Sequence, residues 1–126
     1  MRLGLVTLVV RDYDEAIGFY VDSLGFSLRE DDDLGNGKRW VVVSPDGGAG
    51  LLLAKAKNDA EADTIGNQCG GRVGFFLTTE DFDVTAERFH RNGVVFCEKA
   101  RQESYGKVAV FVDLYGNRWD LIEPKA

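Results

Sequence analysis

Two hydrophobic periods take turns along this chain. Residues 3–10, LGLVTLVV, form a β-rich apolar run. In the next stretch, 11–26, Ala16, Ile17, Tyr20, Val21 and Leu24 recur at steps of three and four, which predicts an amphipathic helix. Asp12 with Glu15 three residues on is an aspartate version of the capping box and marks its start. Gly25 sits where a left-handed terminator belongs. Glycine-bounded runs predict strands at 27–30, 39–44 and 51–54, with turns at 33–38 and 45–50.

From 54 to 71 the residues are polar, small and charged, and read as a link. The order then repeats. A strand is predicted at 72–79, and a helix at 80–93 with Phe82, Ala86 and Phe89 on one stripe and Gly93 as terminator. Further strands follow at 94–98, 106–113 and 118–123, the last after a turn at 114–117. Such repetition determines the architecture. The expectation is one α+β domain, 1–126, of two βαβββ modules, about 1–57 and 72–126, with a link of about 58–71. Their mixed sheets would form an open trough with the helices on the outer face.

Strand alternation assigns the faces. Leu5, Thr7 and Val9 oppose Val6, Leu8 and Val10. Arg72, Gly74 and Phe76 oppose Val73, Phe75 and Leu77, and Arg118, Asp120 and Ile122 oppose Trp119 and Leu121. The second set of each trio is the more uniformly apolar and should face the helices. Arg72 and Asp120 would then both point into the trough.

Composition narrows the function classes. A chain of 126 residues, 44% hydrophobic and 29% charged, has the profile of a soluble globular domain able to bury a core. A net charge of -6 argues against a nucleic-acid partner, which would ask for a basic face. No apolar run approaches the roughly 18–20 residues that cross a bilayer, so no membrane partner is expected. The N-terminal run enters acids without a small-residue cleavage site and reads as a first strand. Two cysteines fit a reducing cytoplasm; Cys69 reads as an inert loop thiol and Cys97, in an alternating run, as core or near-core packing. The single histidine, His90, restricts imidazole-based metal chemistry and suits a helix C-terminus.

Residues 7–26, TLVVRDYDEAIGFYVDSLGF, and 105–123, YGKVAVFVDLYGNRWDLIE, resemble two stretches of the vicinal oxygen chelate superfamily, the glyoxalase, bleomycin-resistance and extradiol-dioxygenase fold. The first is similar to its opening strand and helix, and the second to its closing F-x-D-P-x-G-N-x-x-E-L, with Leu114 in place of the proline. The resemblance covers nearly the whole chain. It implies a homodimer and a cavity for a small-molecule ligand. Members that use a metal take a ligand from the first and last strand of each module. Those positions fall on Leu5, Leu53 (or Leu52), Arg72 and Asp120. Leucine has no donor atom, arginine stays cationic, and one carboxylate is no coordination shell. No metal or other cofactor is expected there.

The candidate ligand-binding residues are therefore Arg72, Asp120, Leu5, Leu53, Phe76, Trp40 and Tyr105. An inward Arg72–Asp120 pair is expected in place of the metal. It is either a structural ion pair or an anchor in which Arg72 grips a carboxylate, phosphate or enolate; independent solvation of the two charges is a third reading. Leu5, Leu53, Phe76 and Trp40 would supply apolar walls, and Tyr105 an aromatic contact beside a glycine. Asn67 and Gln68 would offer amides at the rim or belong to a plain loop. Three function classes stay open: metal-free binding of a small organic molecule, a glyoxalase-type lyase or dioxygenase acting on a small oxygenated substrate, and a structural or regulatory dimer with a filled cavity. In the second, Arg72 would hold an oxyanion and Asp120 would act as base.

Overall fold

The computed structural model describes all 126 residues, and in it the chain divides into two units, 1–65 and 66–126. Each is an open mixed sheet of an α+β kind, with few helices.

The first unit runs β1 (Leu5–Val10), α1 (Tyr13–Ile17), a wider π-helical turn (Gly18–Ser23), β2 (Ser27–Gly35), β3 (Lys38–Ser44), β4 (Gly50–Lys55) and α2 (Asp59–Ala62). The strand order is β1-β4-β3-β2, with β1 and β4 parallel and the other pairs antiparallel. Asp12 caps α1, its side chain accepting the Glu15 amide at 2.9 Å. Past Ile17 the helix widens, with the Leu24 amide donating to the Phe19 carbonyl at 3.1 Å. The wider turn keeps Ala16, Tyr20 and Leu24, four residues apart, on one buried face, while Ile17 and Val21 are only half-buried. Gly25, at φ 83°, ends the segment as its sequence position predicts.

α1 lies against β3 and β4. Leu8, Val10, Val41, Val43, Leu51 and Leu53 make the sheet side of that core. Leu53, expected in a cavity wall, is 0% exposed. The register gives the reason: Leu53 is paired with Leu8 and Val41, both core residues, so alternation turns it toward the helix. The other face carries Leu5 and Val42, which flank Gly50, and Trp40, two residues from Val42. Arg39 ties helix to sheet: its guanidinium pairs with Asp31 at 2.8 Å and Asp14 at 2.9 Å and lies over the Tyr13 ring. The Arg39 hydrogen bond holds the Asp31 carboxyl below its ordinary range.

The second unit runs β5 (Val73–Thr78), α3 (Phe82–Arg91), β6 (Val95–Phe96), β7 (Arg101–Glu103), β8 (Gly106–Val112) and β9 (Arg118–Pro124). The order is β5-β9-β8-β6, and β7 also pairs with β8. β5 and β9 are parallel. One face packs on α3 through a row of rings: Phe75 stacks on Trp119 at 4.6 Å, Trp119 neighbours Phe111 at 5.8 Å, and Phe111 meets Phe89 of α3 at 5.3 Å. Asp81 caps α3 at the Val84 amide, and Glu123 of β9 accepts the Phe82 amide at 2.8 Å. The strand expected over 94–98 is shorter than its sequence predicts. It stops at Phe96, and a separate strand, Arg101–Glu103, continues the edge. No helix of the protein is long and apolar enough to cross a membrane.

Candidate functional site

The face of the second sheet turned away from α3 carries Phe76 on β5, Asp120 and Ile122 on β9, and Val108 and Val110 on β8. Register fixes this set. Asp120 stands opposite Phe76 on one side and Val110 on the other, one step out of phase with the ring-stacked Phe75, Trp119 and Phe111. Phe76 is 64% exposed, large for a phenylalanine on a sheet face, whereas Asp120 is 8% exposed. Oδ1 of Asp120 has no hydrogen-bond partner. It is the one buried side-chain polar atom in the protein left without one. Burial pushes the Asp120 carboxyl above the ordinary aspartate range, opposed by Arg101, reinforced by Glu98 and opposed again by Arg118.

Glu98 and Arg101 complete this face, and sequence reading did not find them. Between β6 and β7 the edge strand leaves β8 for a few residues. The Glu98 side chain fills the gap, its Oε2 accepting the Val110 amide at 2.8 Å. The same carboxylate takes Arg101 Nε at 3.0 Å, and Arg101 also pairs with Glu103 at 3.0 Å. The Arg101 hydrogen bond, then the Val110 amide, holds Glu98 below its ordinary range. Tyr105, in the β7–β8 turn, lies beside Arg101 and is half exposed. The available signal was the charged stretch 98–103, where two acids, Glu98 and Glu103, bracket two bases, Lys99 and Arg101. Strand propensity alone hid it.

Arg72 is elsewhere. It precedes β5, in the loop that enters the strand, and forms no ion pair with Asp120. The register slips by one residue between Val73 and Phe75, so the alternation that carried Arg72 onto the Asp120 face does not extend back to it. Arg72 instead lines a recess of about 40 Å³ with Arg118, Asn67, Cys69 and Asn117. Of the expected residues, the structure brings Phe76 and Asp120 together and places Tyr105 against their neighbour Arg101. Leu5 and Trp40 stay on the first unit's helix-free face, and Leu53 is in its core.

The turn before β9 is built around a second buried acid. Asp113 accepts the Tyr115 and Asn117 amides at 3.0 and 2.9 Å, Asn117 Nδ2 at 3.0 Å and Trp119 Nε1 at 3.3 Å. Here the carboxylate is fully engaged in structure. The contrast isolates Asp120 as the acid with capacity to spare.

The donor set does not fit a metal. Leu5 and Leu53 are hydrocarbons, Arg72 is a cation, and the Glu98 carboxylate is committed to Arg101 and Val110. No group of three or more histidines, cysteines, aspartates or glutamates comes together in the protein.

UcmS2, a solved structure, is 32% identical, with a TM-score of 0.84 over 98% of both chains. TnmS3 from Streptomyces sp. CB03234, an antibiotic-binding protein, is 28% identical with a TM-score of 0.80 over 99% of this chain and 97% of that one. An uncharacterized protein of Shewanella frigidimarina (strain NCIMB 400) is 52% identical over 121 residues, 94% of this chain and 90% of that protein. The family model for the Glyoxalase/Bleomycin resistance protein/Dioxygenase superfamily matches residues 2–121, and the chain belongs to that superfamily.

Proposed function

We propose that this protein binds a small organic molecule, without a metal, on the helix-free face of its second sheet. Asp120 is the polar anchor, Phe76 the apolar platform, and Tyr105 a contact at the edge. The observation that carries the reading is the unpartnered Asp120 oxygen beside an exposed aromatic ring. A buried acceptor left unpaired costs about 1–3 kcal/mol. A fold retains such a group most readily where something outside the chain completes it. The 28% identical antibiotic-binding protein supports the same kind of function.

The test is a titration of the isotope-labelled protein with naphthalene-sized aromatics, followed by amide shifts. Shifts concentrated at Phe76, Val110, Asp120 and Ile122 are expected. No binding, or shifts confined to residues 1–65, would overturn the reading.

A catalytic reading has one observation in its favour: a carboxyl pushed upward by burial has the profile of a proton-transfer group. Against it, Arg101, the cation nearest in the network, is already held by two carboxylates and offers little to an oxyanion. Binding is the stronger conclusion. A homodimer goes with it, supported by β2, exposed along its whole length at the edge of the first sheet. Sedimentation velocity showing a monomer at micromolar concentration would remove that part. The exposed free thiols Cys69 and Cys97 support a reducing compartment such as the cytoplasm.

A further inference from the structure

The charge arrangement around Asp120 says what kind of molecule fits. Three carboxylates, Glu98, Glu103 and Asp120, stand against two guanidiniums, Arg101 and Arg118. Arg101 is spent: it holds Glu98 and Glu103 at once, and no donor of it reaches Asp120. An incoming carboxylate or phosphate would meet a net negative balance: Arg101 would have to abandon two partners to hold it, and Arg118, exposed at the start of β9, lines the Arg72 recess. An incoming donor would meet an acceptor with nothing to abandon.

Resting on the proposed binding face, we infer that the ligand presents a protonated amine to Asp120 from an apolar, ring-bearing scaffold laid on Phe76. A cation supplies what the desolvated carboxylate lacks, a charge-assisted hydrogen bond, and that bond is roughly twice as strong as a neutral one. The exposed Phe76 ring, next to Asp120 in the ladder, adds a face that attracts the same cation and stacks on a planar ring. Oδ1 is itself sealed from solvent. The terminal torsion of an aspartate is broad and nearly two-fold, and ligand binding requires the carboxyl to turn toward the donor. This selects against the acidic ligands that the Arg72 anchor suggested.

Three naphthalenes matched in size test it: 2-(aminomethyl)naphthalene, 2-(methoxymethyl)naphthalene and 2-naphthoate. Affinities are read by amide shifts at Phe76 and Asp120. The amine should bind about tenfold or more tighter than the ether, the gap a bond to a charged group supports, with the carboxylate weakest. Asp120→Asn, close in shape, should bring amine and ether within about twofold of each other, since only the charge is lost. Phe76→Ala should weaken all three and keep their order. Amine and ether binding alike, naphthoate binding tightest, or an amine preference that survives Asp120→Asn would overturn the inference while the binding face stands. No binding by any of the three would overturn both.

Discussion

Phe76 and Asp120 are neighbours across the β5–β9 ladder, an exposed ring beside a buried carboxyl whose Oδ1 receives no hydrogen bond. Burial of this kind lowers stability.

Replacing the group by a hydrocarbon should therefore stabilise the protein. Asp120→Val removes an unpaired buried acceptor without leaving a partner stranded, so unfolding free energy at neutral pH should rise by about 1–3 kcal/mol. Urea denaturation measures it. A loss of stability instead would mean that the carboxyl contributes more to its surroundings than it costs.

The same burial predicts a pH dependence with a definite sign. The folded-state pKa of Asp120 lies above the unfolded value, so the native state holds this proton more firmly than the unfolded chain. Its contribution is fully present below the ordinary aspartate value of about 4 and is lost as pH climbs through the folded pKa. Denaturation of wild type and Asp120→Asn across that window should show wild type losing ground as pH rises. Parallel curves would refute the assignment.

Glu98 should matter for stability although it is partly exposed. Glu98→Ala strips the Val110 amide of its acceptor and releases Arg101 from one of its two carboxylates. The stranded amide alone is worth about 1–3 kcal/mol. Amide exchange at Val110 should accelerate in the variant, and unchanged protection there would show that the side chain does not fill the strand gap.

Gly66 holds a loop against the turn that precedes β9. Its φ is 78°, and a methyl group there would overlap the Tyr115 carbonyl. Gly47, at φ 87°, has open space around it. Gly47→Ala should report the left-handed strain alone, of order 1 kcal/mol, and Gly66→Ala should cost at least about 1 kcal/mol more. Thermal melts of the two variants decide it, and equal losses would mean the loop gives way freely.

Much of the fold was legible because it rests on local rules. The Asp12 cap, the glycine terminator at Gly25, the Phe82, Ala86 and Phe89 stripe and the alternation of Trp119 and Leu121 all follow from backbone geometry within a few residues. Asp120 and Phe76 on one face were legible for the same reason. Arg72 was not, because a bulge shifts register without a clear mark in the sequence. Leu53 and Leu52 are equally apolar, and only pairing with Leu8 decides which turns inward. The charged stretch 98–103 was visible in the sequence, but that Glu98 would fill a missing strand bond depends on where the edge strand leaves β8.

The sequence by itself determined the elements, the doubled order and the chemistry absent from the inherited ligand positions, since side-chain identity and short-range periodicity require no tertiary contact. Only the tertiary structure decided which charges meet. Ion pairing depends on strand register and side-chain reach over a few ångströms, and these put Arg101 with Glu98 and Glu103 and left Asp120 an oxygen without a partner.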